Sequence, residues 1–216
     1  MFFLMKYGLF GPMKRATECR FEQRELPGGR LALAIDHEPM PGVTAAMFRW
    51  WFEHIDGDSN FTTQGFTGPK TPVYRLWHPH DHILVRWEKV NRDREGRVSV
   101  GSILHVEETL GGKHPSKTRV WVTRFDDAAF NFSLGNGAAS FGEVRHLYSD
   151  SAAGLRLRTE MEFGVRWPLI GAWVNRLLRN KAFTPALIAA WVTHNVEECG
   201  ETERFLPQLY AHASTH

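Results

Sequence analysis

The sequence predicts an α+β domain in which a curved antiparallel sheet wraps a long terminal helix. Residues 183–209, FTPALIAAWVTHNVEECGETERFLPQL, carry helical spacing over most of their length and close the chain. Before them lie several segments of alternating apolar and polar residues joined by short turn-forming stretches, the pattern of hairpin-linked strands. The order is strand, helix, several strands, then helix, with no internal repeat and no composition break. All 216 residues are therefore read as a single domain, with 1–29 an N-terminal arm and 30–212 the folded body.

The opening MFFLMKYGLFGPMKR has a short apolar run, but no positive residue precedes it and no convincing cleavage site follows. It is read as an arm rather than a secretion signal. RLALAID (30–36) is a first strand, closed by Pro39, Pro41 and Gly42. GVTAAMFRWWFEH starts a helix with Thr44 as N-cap. Met47, Trp50, Trp51 and His54 follow helical spacing there, a stripe expected to face the core or wall a cavity. Residues 56–72, rich in Gly, Asp, Ser, Asn, Thr and Pro, form a long loop.

The next segment, VYRLWHPHDHILVRWEKV, leads into a strand that runs through Lys89. After the turn NRDREGR comes the strand RVSVGSILHVEETL, ended by Gly111 and Gly112. KHPSK is a turn before the strand TRVWVTRF, and 131–142 is a glycine- and serine-rich connection. EVRHLYSDS and GLRLRTEMEFGV pair as a hairpin, and PLIGAWVNRLLRNKAF has the period of a helix.

With 43% apolar residues the chain can bury one sizeable core. A net charge of +2 spread along the chain argues against a dedicated nucleic-acid surface. No run approaches the roughly 20 apolar residues of a membrane span. Cys19 and Cys199 alone make no disulfide framework, so the expected location is cytoplasmic. Eight tryptophans and fifteen phenylalanines suit a thick core or an aromatic-lined cavity.

The chemistry concentrates in three clusters. His194 and Glu198, four apart, share a helical face with Leu187 and Trp191. Burying an imidazole and a carboxylate there is costly without a partner, and a metal ion is one such partner; a solvated ion pair is the other reading. His78, His80 and His82 form the second cluster, able to place two or three rings on one side of a strand or loop. The third is His105-Val106-Glu107-Glu108 on a strand, where alternation separates His105 and Glu107 from Glu108. One glutamate must therefore point inward. A histidine from one strand, a glutamate from its neighbour and the helical His–Glu pair make a donor set that suits Zn²⁺. Residue spacing leaves open which histidine and which glutamate complete it.

Four stretches, PGVTAAMFRWWFEH, VYRLWHPHDHI, GSILHVEE and HNVEE, resemble the 2,4-diacetylphloroglucinol hydrolase and phloretin hydrolase family. The resemblance runs from about Pro41 to Glu198, most of the chain. It implies a helix-grip fold like that of the Bet v 1 and START proteins. It also implies zinc-dependent hydrolysis of the carbon–carbon bond between an acyl group and a phenolic ring. Carried over, the metal ligands are His82 (or His78), Glu108 or Glu107, His194 and Glu198. Tyr74 matches the family's substrate-contacting tyrosine; Tyr74 and a non-ligating histidine (His78, His80 or His105) are the candidate proton donors, and His105, His146 and Tyr148 candidates for phenol contacts. The implied partner is a small phenolic ketone, with neither nucleic acid nor membrane, and a homodimer would be consistent with related enzymes. The competing reading is a non-enzymatic helix-grip carrier of a hydrophobic small molecule, which predicts no bound metal and polar clusters scattered in space.

Overall fold

A computed structural model describes residues 6–215; the first five residues of the expected arm lie outside the described residues. In chain order the elements begin with β1 (Arg20–Leu26), β2 (Arg30–Asp36) and α1 (Ala45–Glu53). Two short strands, β3 (Asp58–Ser59) and β4 (Thr71–Pro72), and a single turn of helix, α2 (Tyr74–Trp77), precede β5 (His82–Lys89). Then come β6 (Ile103–Leu110), β7 (His114–Asp126), β8 (Ala129–Leu134), β9 (Gly142–Ser151) and β10 (Gly154–Phe163). Helices α3 (Gly171–Lys181) and α4 (Pro185–Ala213) end the chain.

The main sheet has the order β1-β2-β10-β9-β8-β7-β6-β5 and is antiparallel throughout. After β2 the chain crosses to the far edge through α1, the β3–β4 loop and α2. The strands then return in sequence until β10 pairs with β2, Thr159 opposite Ile35. Helix α4 fills the concave face. Its Ile188, Trp191, Val192 and Val196 pack with Leu31, Leu33, Ile35, Leu110, Val144 and Met161 of the sheet. This is a helix-grip α+β fold.

Several boundaries differ from the sequence reading, each for a visible reason. Residues 20–26, expected within the arm, form the edge strand β1, Phe21 opposite Ile35. The strand expected from Arg97 starts only at Ile103, because Gly101, at φ 86°, breaks it. The expected KHPSK turn is largely strand, and the reversal is confined to 111–113. The first residues of the expected 131–142 connection belong to β8, where Phe130, Phe132 and Leu134 alternate into the cavity. On α1 the buried stripe lies one residue over from the expected one. Phe48 meets Tyr148 edge-on and Trp51 meets Phe205 of α4, whereas His54 is exposed and stacks on Trp50 at 4.5 Å.

Residues 6–14 strap the outer side of α4. Lys6 reaches Glu197 at 2.8 Å, Phe10 stacks on Phe205, and Lys14 reaches Glu203 at 3.1 Å. Every residue from His194 to Thr202 is therefore buried, on both faces of the helix.

Candidate metal centre

The centre is built where β5 meets β6 under α4. Strict alternation from Val85, which faces the interior, would turn His82 outward. A β-bulge prevents this: His82 pairs with Glu108 and Leu84 with Glu107, leaving Ile83 extra and 56% exposed. His82 and Glu108 thus face the same side. Tyr74 stacks on the His82 ring, centroids 3.6 Å apart and nearly parallel, and donates its hydroxyl to Glu108 Oε2 at 3.0 Å.

Four candidate ligand groups meet here: His82, Glu108 and His194 could hold an ion together, and Glu198 adjoins two of them. His82 Nε2 lies 3.2 Å from Glu198 Oε2, and His194 Nε2 lies 3.6 Å from both Glu198 Oε2 and Glu108 Oε2. A tetrahedral ion with bonds of about 2.0–2.1 Å separates its ligands by about 3.4 Å, so these spacings fit the edges of such a shell. The tautomers fit as well. His82 Nδ1 donates to the Tyr74 carbonyl at 2.7 Å, which leaves Nε2 as a bare acceptor, buried and, among the described residues, without a hydrogen-bond partner. It faces a carboxylate oxygen, and two acceptors at that distance need a proton or a cation between them.

The electrostatics agree. Burial, followed by the His194 charge, pushes His82 well below the ordinary imidazole value. Burial works against protonation of His194 too, but the carboxylates of Glu198, Asp81 and Glu108 outweigh it and raise the ring to about 9. Burial, with Glu108 and Asp81 nearby, raises Glu198 to about 8 despite His194. The cluster holds more negative charge than its burial tolerates, a condition a divalent cation relieves.

Behind these four lies a residue the sequence reading missed. Asp81 Oδ2 accepts from His194 Nδ1 at 3.1 Å and from the Gly111 N–H at 2.9 Å, and Oδ1 accepts from the Gly112 N–H at 3.1 Å. Against burial, the His194 bond and the Gly111 amide are among the contacts that hold it below the usual carboxylate range. A carboxylate on the far nitrogen of a histidine fixes its tautomer and orientation toward a metal. The spacing His78-x2-Asp81 was the available signal. His78, Asp81 and His194 also form a buried group able to hold a metal ion, beside the group His82, Glu108 and His194. In the first group, however, His78 is already satisfied: Nδ1 accepts the Asp81 N–H at 3.1 Å and Nε2 donates to Glu197 at 3.0 Å. The orphaned nitrogen belongs to the second group.

Other expected residues sit elsewhere. Glu107 and His105 lie on the outer face of β6, 2.8 Å from each other, with Lys117 on Glu107. The alternation that turns Glu108 inward turns them out, so neither reaches the cavity. His78 is fully buried behind the shell, and His80 is exposed and bonded to the Tyr7 carbonyl. Tyr148 donates to the Asp126 carbonyl within the core. His146 does line the cavity, its Nδ1 3.2 Å from Thr159 Oγ1.

The shell opens into a cavity of about 440 Å³, walled by Phe52, Trp77, Phe130, Phe132 and Trp191 among others. Trp50 and Trp51, expected among its walls, line a separate surface groove. Among its polar liners is Asn195, 4% exposed, whose Oδ1 has no partner among the described residues. Its Nδ2 donates to the Trp191 carbonyl at 3.3 Å.

Comparison with solved structures finds distant relatives in shape. A START superfamily protein from Mycobacterium smegmatis is 14% identical, covering 79% of this chain and 98% of its own, with a TM-score of 0.40. Protein Ms6760 from the same organism is 10% identical, covering 92% and 99%, at 0.46. A major latex-like protein from Panax ginseng is 9% identical, covering 82% and 95%, at 0.45. No curated protein matches the chain. The family described as DAPG hydrolase PhiG domain matches residues 14–211, a span that contains His82, Glu108, His194 and Glu198, and the chain belongs to that family.

Proposed function

We propose that the protein is a zinc-dependent hydrolase that cleaves the carbon–carbon bond between an acyl group and a phloroglucinol-type ring. The observation that carries this reading is the orphaned His82 Nε2 facing Glu198, beside Glu108 and His194, at the wall of an aromatic cavity. Two imidazoles and two carboxylates are a donor set for Zn²⁺. When bound, zinc supplies Lewis acidity toward a ketone carbonyl and a water of lowered pKa.

The chain's own residues account for the rest. Hydrolysis adds the hydroxyl of water to the acyl carbon and a proton to the ring carbon that leaves. Tyr74 lines the cavity, and burial, reinforced by Glu108, raises its hydroxyl well above the ordinary phenol value, so it keeps its proton. It is the group placed to deliver that proton. Asn195 Oδ1 accepts a hydrogen bond from a ring hydroxyl, and His146 offers a second polar contact. The aromatic walls hold the ring and exclude bulk water.

Acylphloroglucinols incubated with the zinc-loaded protein should release a carboxylic acid and the deacylated ring. Metal analysis of the purified protein should find one zinc per chain, lost in His194→Ala. No turnover across a panel of aryl ketones would reject the hydrolase reading. A metal-free protein that still binds such phenols would favour the carrier.

A further inference from the structure

Helix α3 and the loop before it present an apolar surface for which the domain itself has no use. Leu169 is fully exposed and holds a left-handed backbone at φ 65°, an unfavourable conformation for a residue with a Cβ. Beside it Ile170 is 56% exposed and Trp173 66%. Trp173, Arg176, Leu177 and Asn180 are exposed at helical spacing and form one outward stripe. The opposite face is pinned: Asn175 donates to the Gly28 and Val165 carbonyls and accepts the Val165 N–H at 2.7 Å. The stripe therefore sits on a fixed platform.

The charge around it is mainly positive. From Phe163 to Val196 the chain carries Arg166, Arg176, Arg179 and Lys181 and no aspartate or glutamate. Neighbouring elements contribute two carboxylates, Glu162 on Arg166 at 2.8 Å and Glu25 on Arg179 at 3.0 Å. Arg176 and Lys181 remain exposed beside the apolar stripe. Tryptophan, leucine and isoleucine flanked by arginine and lysine are what an anionic lipid surface recognises: rings enter the headgroup region and cations meet the phosphates. A second copy of the chain fits less well, because a two-fold contact would face Arg176 and Lys181 against the same cations of the other copy.

We infer that the Leu169–Leu177 face docks this protein on an anionic membrane surface. Among the described residues no helix is long and apolar enough to cross a bilayer. A surface dock needs none. Position gives the dock a use. The chain leaves α3 for Phe183, which stacks on Phe163 at 3.7 Å, and Phe183 and Leu187 both line the cavity. The docking face thus adjoins the cavity rim, and an apolar ligand dissolved in the bilayer would enter without crossing bulk water.

The test is co-sedimentation of the full chain with vesicles of phosphatidylcholine alone or mixed with equimolar phosphatidylglycerol. The protein should pellet with the mixed vesicles, much less with neutral ones, and salt should release it. Trp173→Ser and the pair Arg176→Glu with Lys181→Glu should each reduce binding several-fold, while Arg92→Glu on the distant β5–β6 turn should not. Melting curves that match the parent verify folding of each variant. Binding to neither vesicle, or binding that survives all these α3 changes, would overturn the inference. So would a dimer in light scattering that Trp173→Ser converts to monomer.

Discussion

Asp81→Asn is the most informative single change at the centre. The carboxylate accepts three hydrogen bonds, from His194 Nδ1 and the amides of Gly111 and Gly112, and is 1% exposed. An amide offers one acceptor oxygen. If that oxygen keeps the bonds to His194 and Gly111, the new NH₂ group faces the Gly112 N–H, and one bond to an ionised acceptor is lost, about 1.5–3 kcal/mol. His194 also loses its anionic partner. Changes of this kind cost about 10–100-fold in metal affinity, or about 1.4–2.7 kcal/mol. Zinc competition against a chromophoric chelator measures the second quantity and thermal melting the first. A variant that holds zinc as tightly as the parent would refute the positioning role. Two companions decide which group holds the ion. His82→Gln should lose the metal and His78→Gln retain it, and the reverse pattern would move the ion to His78, Asp81 and His194.

His105→Gln and Glu107→Gln should leave zinc content and turnover unchanged, while loss of the His105–Glu107 bond should lower stability by about 1 kcal/mol, measured by urea melts. Burial holds His146 at about 4, below the 6.5 of a free imidazole, so the unfolded chain takes up the proton first. Its contribution is complete above that higher value and is lost as the pH falls toward the lower one, by up to about 1.4 kcal/mol per pH unit. His146→Phe should flatten that slope in urea melts at pH 5 and 7. Lys6→Met removes the partly buried ion pair to Glu197 and should cost about 1 kcal/mol, read as a lower melting temperature with zinc retained.

Much of the candidate centre was legible because its residues obey local periodicities. The i, i+4 spacing placed His194 and Glu198 on one face of α4, and strand alternation separated Glu108 from Glu107. The choice between those two glutamates depended on which face of β6 is concave, a property of the closed sheet rather than of the segment. Asp81 and Asn195 escaped because their roles exist only through distant partners: Gly111 and Gly112 for one, an open cavity wall for the other. The β1 edge strand was missed because its residues are exposed and polar, and its pairing with β2 is set by backbone bonds. The shifted stripe of α1 has the same origin, since α4 and β9 fix which side of that helix is covered.

The bulge at Ile83 makes the centre depend on strand phase as well as on chemistry. Ile83 touches no ligand and points to solvent, yet it sets the phase in which β5 arrives at the cavity. Substituting it should be inconsequential, and deleting it would bring His82 to the second position before Val85, where strict alternation alone faces the imidazole inward. The shell is thus counted out along the strand: a chain of the same length that lost the bulge would keep all four candidate ligands in its sequence and lose the centre in space.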